Sequence, residues 1–292
     1  MKKLLILSGK GGTGKTTVSS SFIKLSQTKA YADCDVDAPN LHLMVDTPSE
    51  PTTKSFYGLP KAHIDAQKCI DCGQCMEHCR FNAINNDDGY VVDFYACEGC
   101  GVCEYVCPAD AISMQKATAG NLILYKDNTV FSTAKLNMGF GNSGMLVAEV
   151  KSQLDDEAPD AEFAVIDGSP GIGCPVIASI SGVDMVLVVT EPSLSGISDM
   201  ARVIDTAQGF MVDCSVCINK YDINVENTEK IEEICRNRNI PMTGRIPFDN
   251  MVVGAVNKGI SITDINCPAG KAIKEVYQNT MEIFKTETGE TE

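Results

Sequence analysis

Basic residues, histidines and long apolar runs are all scarce in this sequence. Lys and Arg number 24 against 39 Asp and Glu, and the formal charge of −15 argues against unaided binding to nucleic acid or an anionic membrane, which needs clustered cations. Partners are expected among basic or neutral proteins. No stretch approaches the roughly 18 consecutive apolar residues that span a bilayer, and the opening MKKLLIL runs straight into glycines, too short for a secretory signal. The expected location is the cytoplasm. The three histidines, His42, His63 and His78, show no pairing at ligand spacing and read as ordinary polar residues. Cysteine, by contrast, is abundant at 14 residues. A reducing compartment disfavours disulfides, so clustered thiols there point to metal.

The rest of the composition is that of a folded α/β protein, with 44% hydrophobic residues in 292, enough for one large core or two modest ones. Lys3–Ser8 reads as a short strand, and about 16 to 27 as a helix. A second strand follows near Tyr31. The β/α rhythm lapses after DCDVDAPNLHLM and resumes at about Asn121 with NLILY and TVFSTAKL, then a helix capped by Ser143 that runs to about Leu154. FAVIDGSPG, MVLVVTEPS, SVCINK and IPMTGRIP then alternate with helical segments, the last from about Ala269 to Phe284. Strands rich in Val and Ile without polar alternation imply a doubly wound, mainly parallel sheet covered on both faces.

The interruption is a repeat. HIDAQKCIDCGQCMEHCRFNAI and VVDFYACEGCGVCEYVCPADAI align at an offset of 28 residues, matching Cys69, Cys72, Cys75 and Cys79 to Cys97, Cys100, Cys103 and Cys107. NNDDG is expected to turn between the halves. The expected organisation is a first segment, 1–61, an insert, 62–116, and a second segment, 117–292, that rejoins the first.

GKGGTGKTT, Gly9 to Thr17, satisfies G-x-x-x-x-G-K-[ST] between an expected strand and an expected helix. Backbone N–H groups of Gly9, Lys10, Gly11, Gly12, Thr13, Gly14 and Thr17 can converge on phosphate oxygens. Lys15 reaches the β- and γ-phosphates and Thr16 supplies a hydroxyl to Mg²⁺. Lys10 adds a further mark. KGGTGKTT resembles the deviant Walker A motif of the MinD/ParA/Mrp group of P-loop ATPases, which includes the nitrogenase iron protein; the resemblance covers the chain outside the insert. It implies a P-loop NTPase fold and an ATPase that dimerises on ATP, as a homodimer or with a related ATPase, slow without a partner. It also implies that Lys10 crosses to the partner's phosphates. By position, Asp33 and Asp35 fall in switch I, and Asp167 to Gly171 in switch II. Asp35 would hold the attacking water or the Mg²⁺ shell and Asp167 a metal-bound water. Asn219 and Lys220 would contact the base, with Pro247 and Asp249 closing over adenine. Asp37 reads as a solvated carboxylate or a cap.

Cys-x₂-Cys-x₂-Cys-x₃-Cys, twice, the second time ending in Cys-Pro, resembles bacterial two-cluster ferredoxins over the whole insert, which implies an α+β ferredoxin-like domain. The resemblance implies one [4Fe–4S] cluster on Cys69, Cys72, Cys75 and Cys107 and another on Cys97, Cys100, Cys103 and Cys79. Arg80 stands where the first half's proline would be. Four thiolates also suit structural zinc, whose sites more often pair two Cys-x₂-Cys knuckles across a longer gap. Cys214 and Cys217 fall on opposite faces of an expected core strand and, with Cys34, Cys235 and Cys267, read as structural. Cys174 follows Asp167 at a distance similar to that of a cluster ligand in the nitrogenase iron protein. It is either an interfacial metal ligand of the dimer or a packing thiol.

Together these features imply an ATPase that assembles or delivers iron–sulfur or mixed-metal clusters to an acceptor protein. The alternative is an ATP-gated electron donor to a redox partner. A positioning ATPase is disfavoured by the acidic charge and by the KTETGETE tail, which resembles no basic amphipathic membrane helix and gives no reason to expect stable membrane association.

Overall fold

The computed structural model describes residues 1–47 and 50–287. The chain begins with β1 (Lys2–Ser8), α1 (Lys15–Ser26), β2 (Ala30–Asp33) and β3 (Thr52–Tyr57). The cysteine-rich part contains β4 (Lys61–Ile64), α2 (Gln74–Glu77), β5 (Ile84–Asn86), β6 (Tyr90–Val92), α3 (Val102–Tyr105) and β7 (Ile112–Gln115). After it come β8 (Thr118–Lys126), β9 (Val130–Leu136), α4 (Ser143–Glu157), β10 (Phe163–Pro170), α5 (Cys174–Ile180), β11 (Met185–Thr190) and α6 (Leu194–Gly209). The last elements are β12 (Asp213–Asn219), α7 (Val225–Asn237), β13 (Met242–Ile246), α8 (Asn250–Val256) and α9 (Pro268–Glu287). Of the acidic KTETGETE tail, the first three residues complete α9 and the rest lie outside the described residues.

Nine strands form one sheet in the order β13-β12-β11-β1-β10-β2-β9-β8-β3. β13 through β9 run parallel, whereas β8 pairs antiparallel with both β9 and β3. The antiparallel edge departs from a fully parallel reading, and β3 carries no sequence signal of a buried strand, because in TTKSFY only Phe56 is buried. β1 shows why the sheet is covered twice. Leu4 and Ile6 pack on one face with Val18 and Phe22 of α1 and Ile273 of α9, and Leu5 and Leu7 on the other with residues of α4, α5, α6 and α7. All four β1 side chains are fully buried, each contributing about 1.5–3 kcal/mol by transfer from water. Cys214 and Cys217 of β12 divide between the same two faces; both are buried, and burial pushes each thiol up to about 12. They are core residues. The cap of α4 is Asn142 rather than Ser143, and its carboxamide is not spent on the helix: Oδ1 accepts from the Leu59 N–H at 3.1 Å.

The two cysteine repeats fold alike, contact for contact. Gly73 and Gly101 both adopt positive φ, 74° and 75°, to start the short helices α2 and α3. The Cys69 and Cys97 amides both bond to the carbonyl four residues back, of Asp65 and Asp93. Ala83 N–H donates to the Cys79 sulfur at 3.4 Å and Ala111 N–H to the Cys107 sulfur at 3.3 Å. Arg80 therefore leaves the turn unchanged relative to its Pro108 counterpart: Asn82 and Asp110 take φ of 51° and 47°. β4 pairs with β7 and β5 with β6, each antiparallel, so the halves close on each other.

Candidate functional site

β1 sits between β10 and β11, and the carboxyl ends of these strands are where a doubly wound sheet presents its ligand crevice. A cavity of about 840 Å³ opens there, lined by Ser8, Gly11 through Thr17, Asp35, Asn40, Pro170 and Val256 through Gly259, with Leu43 and Met44 at its side. The glycine loop supplies backbone N–H groups to it. Gly14 caps α1 at φ 91° with no side chain bonded to the first amides of the helix, which suits an anion. A Cβ on Gly14 would lie 2.3 Å from the Asn219 amide nitrogen and would sit at a φ that L side chains rarely adopt, so any other residue is strained there. Thr13 Oγ1 is buried with no hydrogen-bond partner. A triphosphate would satisfy these donors.

Lys15 and Thr16 of the motif lie together with Asp35 and Asp167, which family position adds to them. Lys15 is buried, with Nζ 2.7 Å from Asp167 Oδ1; the Thr16 hydroxyl donates to Asp167 Oδ2 at 2.9 Å and the Ser19 hydroxyl to Oδ1 at 2.6 Å. Asp167 thus ties down the lysine and the hydroxyl that the motif offers to phosphate and Mg²⁺; Thr16, Asp35 and Asp167 are the groups that would hold the ion. Asp35 lines the cavity half-buried, and desolvation raises its pKa. Asp33 differs. Fully buried, it accepts backbone N–H bonds from Asp35, Asn40 and Leu41 at 2.9, 3.0 and 3.0 Å and so clasps the turn that presents Asp35.

Burial, reinforced by the charge of Asp167, raises the Asp33 carboxyl to about 7. A carboxyl raised above its unfolded value near 3.9 stabilises the fold fully only below that value, and the contribution disappears as pH rises through about 7. The nucleotide-free protein is therefore expected to lose denaturant resistance between about pH 4 and about pH 7, and Asp33→Asn to flatten that decline. Parallel pH profiles for the two proteins would contradict this.

Other predicted residues stand apart from the cavity. Lys10 Nζ lies 2.7 Å from Glu191 Oε1 and donates to the hydroxyls of Ser193 and Ser195 at 3.0 and 2.9 Å. Gly9 abuts the Asp199 backbone. Asn219 Nδ2 donates to the Thr13 carbonyl at 2.7 Å and Lys220 Nζ to that of Gly12 at 3.1 Å, so both brace the glycine loop from beneath. Asp249 caps α8 through the Met251 N–H; neither it nor Pro247 lines the cavity. Cys174 begins α5, exposed, with Gly144 of α4 against its backbone. Ser19, Asn40, Glu191 and residues 256–259 join the site without any motif to announce them. Glu191 alone had a signal, since it follows directly on a wholly buried strand beside β1.

The cysteines ring two further pockets. One is lined by Cys69, Cys72, Cys75 and Cys107, the other by Cys79, Cys97, Cys100 and Cys103. Burial pushes the thiols of Cys75 and Cys103 up, with smaller contributions from Cys69 and Cys72 in the first case and Cys97 and Cys100 in the second. No group of three or more His, Cys, Asp or Glu side chains among the described residues is placed to hold a metal ion.

Comparison with known proteins agrees with the site. The model of the CobQ/CobB/MinD/ParA nucleotide binding domain matches residues 4–262. An uncharacterized protein of Methanocaldococcus jannaschii is 33% identical over 289 residues, 97% of each chain. The iron-sulfur cluster carrier protein of Pyrococcus abyssi is 23% identical, over 99% of this chain and 88% of that one. In fold, the MinD protein of Pyrococcus horikoshii complexed with Mg-ADP superposes with a TM-score of 0.59 at 17% identity, covering 98% of both chains. With a glycine loop after β1, its buried lysine and half-buried threonine, and a carboxylate bonded to both from β10, the chain belongs to the CobQ/CobB/MinD/ParA nucleotide-binding family, as a P-loop ATPase of the MinD type.

Proposed function

We propose that the protein is an ATP-dependent carrier or scaffold for iron–sulfur or mixed-metal clusters, working as a dimer, in which residues 62–116 form a ferredoxin-like unit with two [4Fe–4S] clusters. The observation that carries this reading is the sorting of eight cysteines into two pockets, each taking three thiols from one repeat and the fourth from the other. That crossed set is the one the ferredoxin spacing implies. The donor chemistry fits a cube better than a single ion: four thiolates that stand around a pocket rather than converging on a point would each take one iron of a cluster. Supporting the carrier role are the relatives named iron-sulfur cluster carrier proteins. ATP and Mg²⁺ occupy the cavity over the glycine loop, held by Lys15, Thr16, Asp35 and Asp167. Dimerisation on ATP requires Lys10 to leave Glu191, and Cys174, exposed at the start of α5, serves as an interfacial ligand.

A second reading, an ATP-gated electron donor with permanent clusters, draws on the burial of Cys75 and Cys97, which favours retention over release. An anaerobic transfer assay separates the two. The protein loaded with clusters is expected to lose iron to a chelator and to activate an apo-acceptor faster with Mg·ATP, and Cys174→Ser to keep ATP binding but lose transfer. Chelator-resistant clusters that never move, yet are oxidised by a partner only during ATP turnover, would overturn the carrier role in favour of electron transfer.

A further inference from the structure

Lys61, the first residue of β4, is a cation in an unusual place. Only 8% of it is exposed. Its ammonium donates to the Cys97 carbonyl and lies 5.7 Å from the ring centre of Phe94 and 5.2 Å from that of Phe140. It has no carboxylate partner among the described residues. A buried charge is costly unless an opposite charge compensates it, and two aromatic faces with one carbonyl offer only partial compensation. Lys61 also lines an open pocket of about 300 Å³ with His63, Phe94 and Lys116, and no side-chain carboxylate neutralises it there.

The surroundings single out one cysteine pocket. Ala62, the next residue, lines the pocket of Cys79, Cys97, Cys100 and Cys103, and the Lys61 ammonium grips the carbonyl of a cysteine in that set. The same half is seated on the ATPase body. A Cβ on Gly99 would lie 2.4 Å from the Pro60 carbonyl, and one on Gly139 would lie 2.9 Å from the Tyr95 ring. Phe94 and Phe140 meet edge to face at 5.5 Å. Neither cysteine pocket has a lysine in its lining, and the only cysteine that the Lys61 ammonium is bonded to is Cys97, through its carbonyl.

We propose that Lys61 is the internal counter-cation of the cluster held by Cys79, Cys97, Cys100 and Cys103, and that it biases this cluster, but not its neighbour, toward the reduced form. The inference rests on the reading of both pockets as [4Fe–4S] sites. Four thiolates around a 2+ core carry a net charge of −2. One electron from an external low-potential donor takes the core to 1+ and the net charge to −3, with no bond made or broken and no proton taken up. A fixed positive charge beside the set favours the more negative state. The body-facing cluster becomes the electron sink of the pair, next to the part of the molecule that responds to ATP. Lys61 is a positioning residue, since it acts through the field and through the Cys97 loop.

The test is an anaerobic dithionite titration of the full chain, followed by electron paramagnetic resonance, with iron counted first. Lys61→Gln keeps a donor for the Cys97 carbonyl while removing the charge; Lys61→Arg keeps the charge. The expected result is unchanged iron in both variants, with one of two reduction waves in Lys61→Gln disfavoured about tenfold or more, equal to about 59 mV for one electron. The other wave stays in place, Lys61→Arg behaves as wild type, and the displaced wave is the one missing from Cys97→Ser. Two unmoved waves, or two waves moved equally, would overturn the proposal. Loss of iron from Lys61→Gln but not Lys61→Arg would show a purely structural lysine and overturn it as well. Wild-type protein without iron would mean instead that the cluster reading itself fails.

Discussion

Lys15→Ala is expected to abolish ATP binding. The ammonium is buried, 2.7 Å from Asp167, and faces the cavity between the glycine loop and Asp35. Its removal leaves Asp33 and Asp167, both fully buried, beside a site meant for a polyanion. Truncating one partner of a buried charge pair costs about 2–5 kcal/mol, and here lost attraction to phosphate adds to carboxylate repulsion. An affinity loss above ~100-fold follows, since each ~1.4 kcal/mol is tenfold. Lys10→Ala behaves differently. Its ammonium sits on Glu191, Ser193 and Ser195 rather than in the cavity, so ATP binding persists while dimerisation and turnover are lost. Asp35→Ala binds ATP and dimerises but hydrolyses it slowly, by about 10²–10⁴-fold if Asp35 directs the attacking water. Calorimetry with Mg·ATP, sedimentation and phosphate release give the three readouts. Equal loss of binding in all three variants would contradict the assignment of roles.

The second large effect is on iron. Cys107→Ser is expected to remove the same cluster as Cys69→Ser, and Cys79→Ser the same as Cys97→Ser, each leaving about four irons of about eight. Sequence proximity alone suggests otherwise, because Cys107 neighbours Cys103 and Cys79 neighbours Cys75. The pockets put each with the other repeat. The spectrum of the surviving cluster distinguishes the cases. Cys107→Ser matching Cys97→Ser would mean that each repeat holds its own cluster.

Much of this was legible in the sequence for a definite reason: backbone geometry constrains residue type most tightly where chain meets chain or ligand. The glycine loop shows it at Gly14, where a side chain would strike Asn219. The repeat shows it again at Gly73 and Gly101. The opposed faces of Cys214 and Cys217 follow from strand periodicity alone. Less legible were features made by long-range partners. β3 is a polar edge strand whose pairing to β8 supplies what its apolar content does not. The contact of Lys10 with Glu191 joins residues 181 apart in sequence, and Asn219 and Lys220, which family position assigns to the base, bond to the Thr13 and Gly12 carbonyls of the glycine loop. Asp33 and Asp35 look equivalent in DCD, yet β2 ends at Asp33, which is buried, while Asp35 lies in the turn that follows and opens to the cavity. Lys61 lies in no motif at all, and only packing shows it to be a buried cation.

Whether residues 62–116 carry two iron–sulfur cubes is decided by metal and sulfide analysis of anaerobically purified wild-type protein. About eight irons and about eight acid-labile sulfides per chain are expected, with visible absorption that bleaches on dithionite. Stoichiometric zinc with little iron and no sulfide would contradict it.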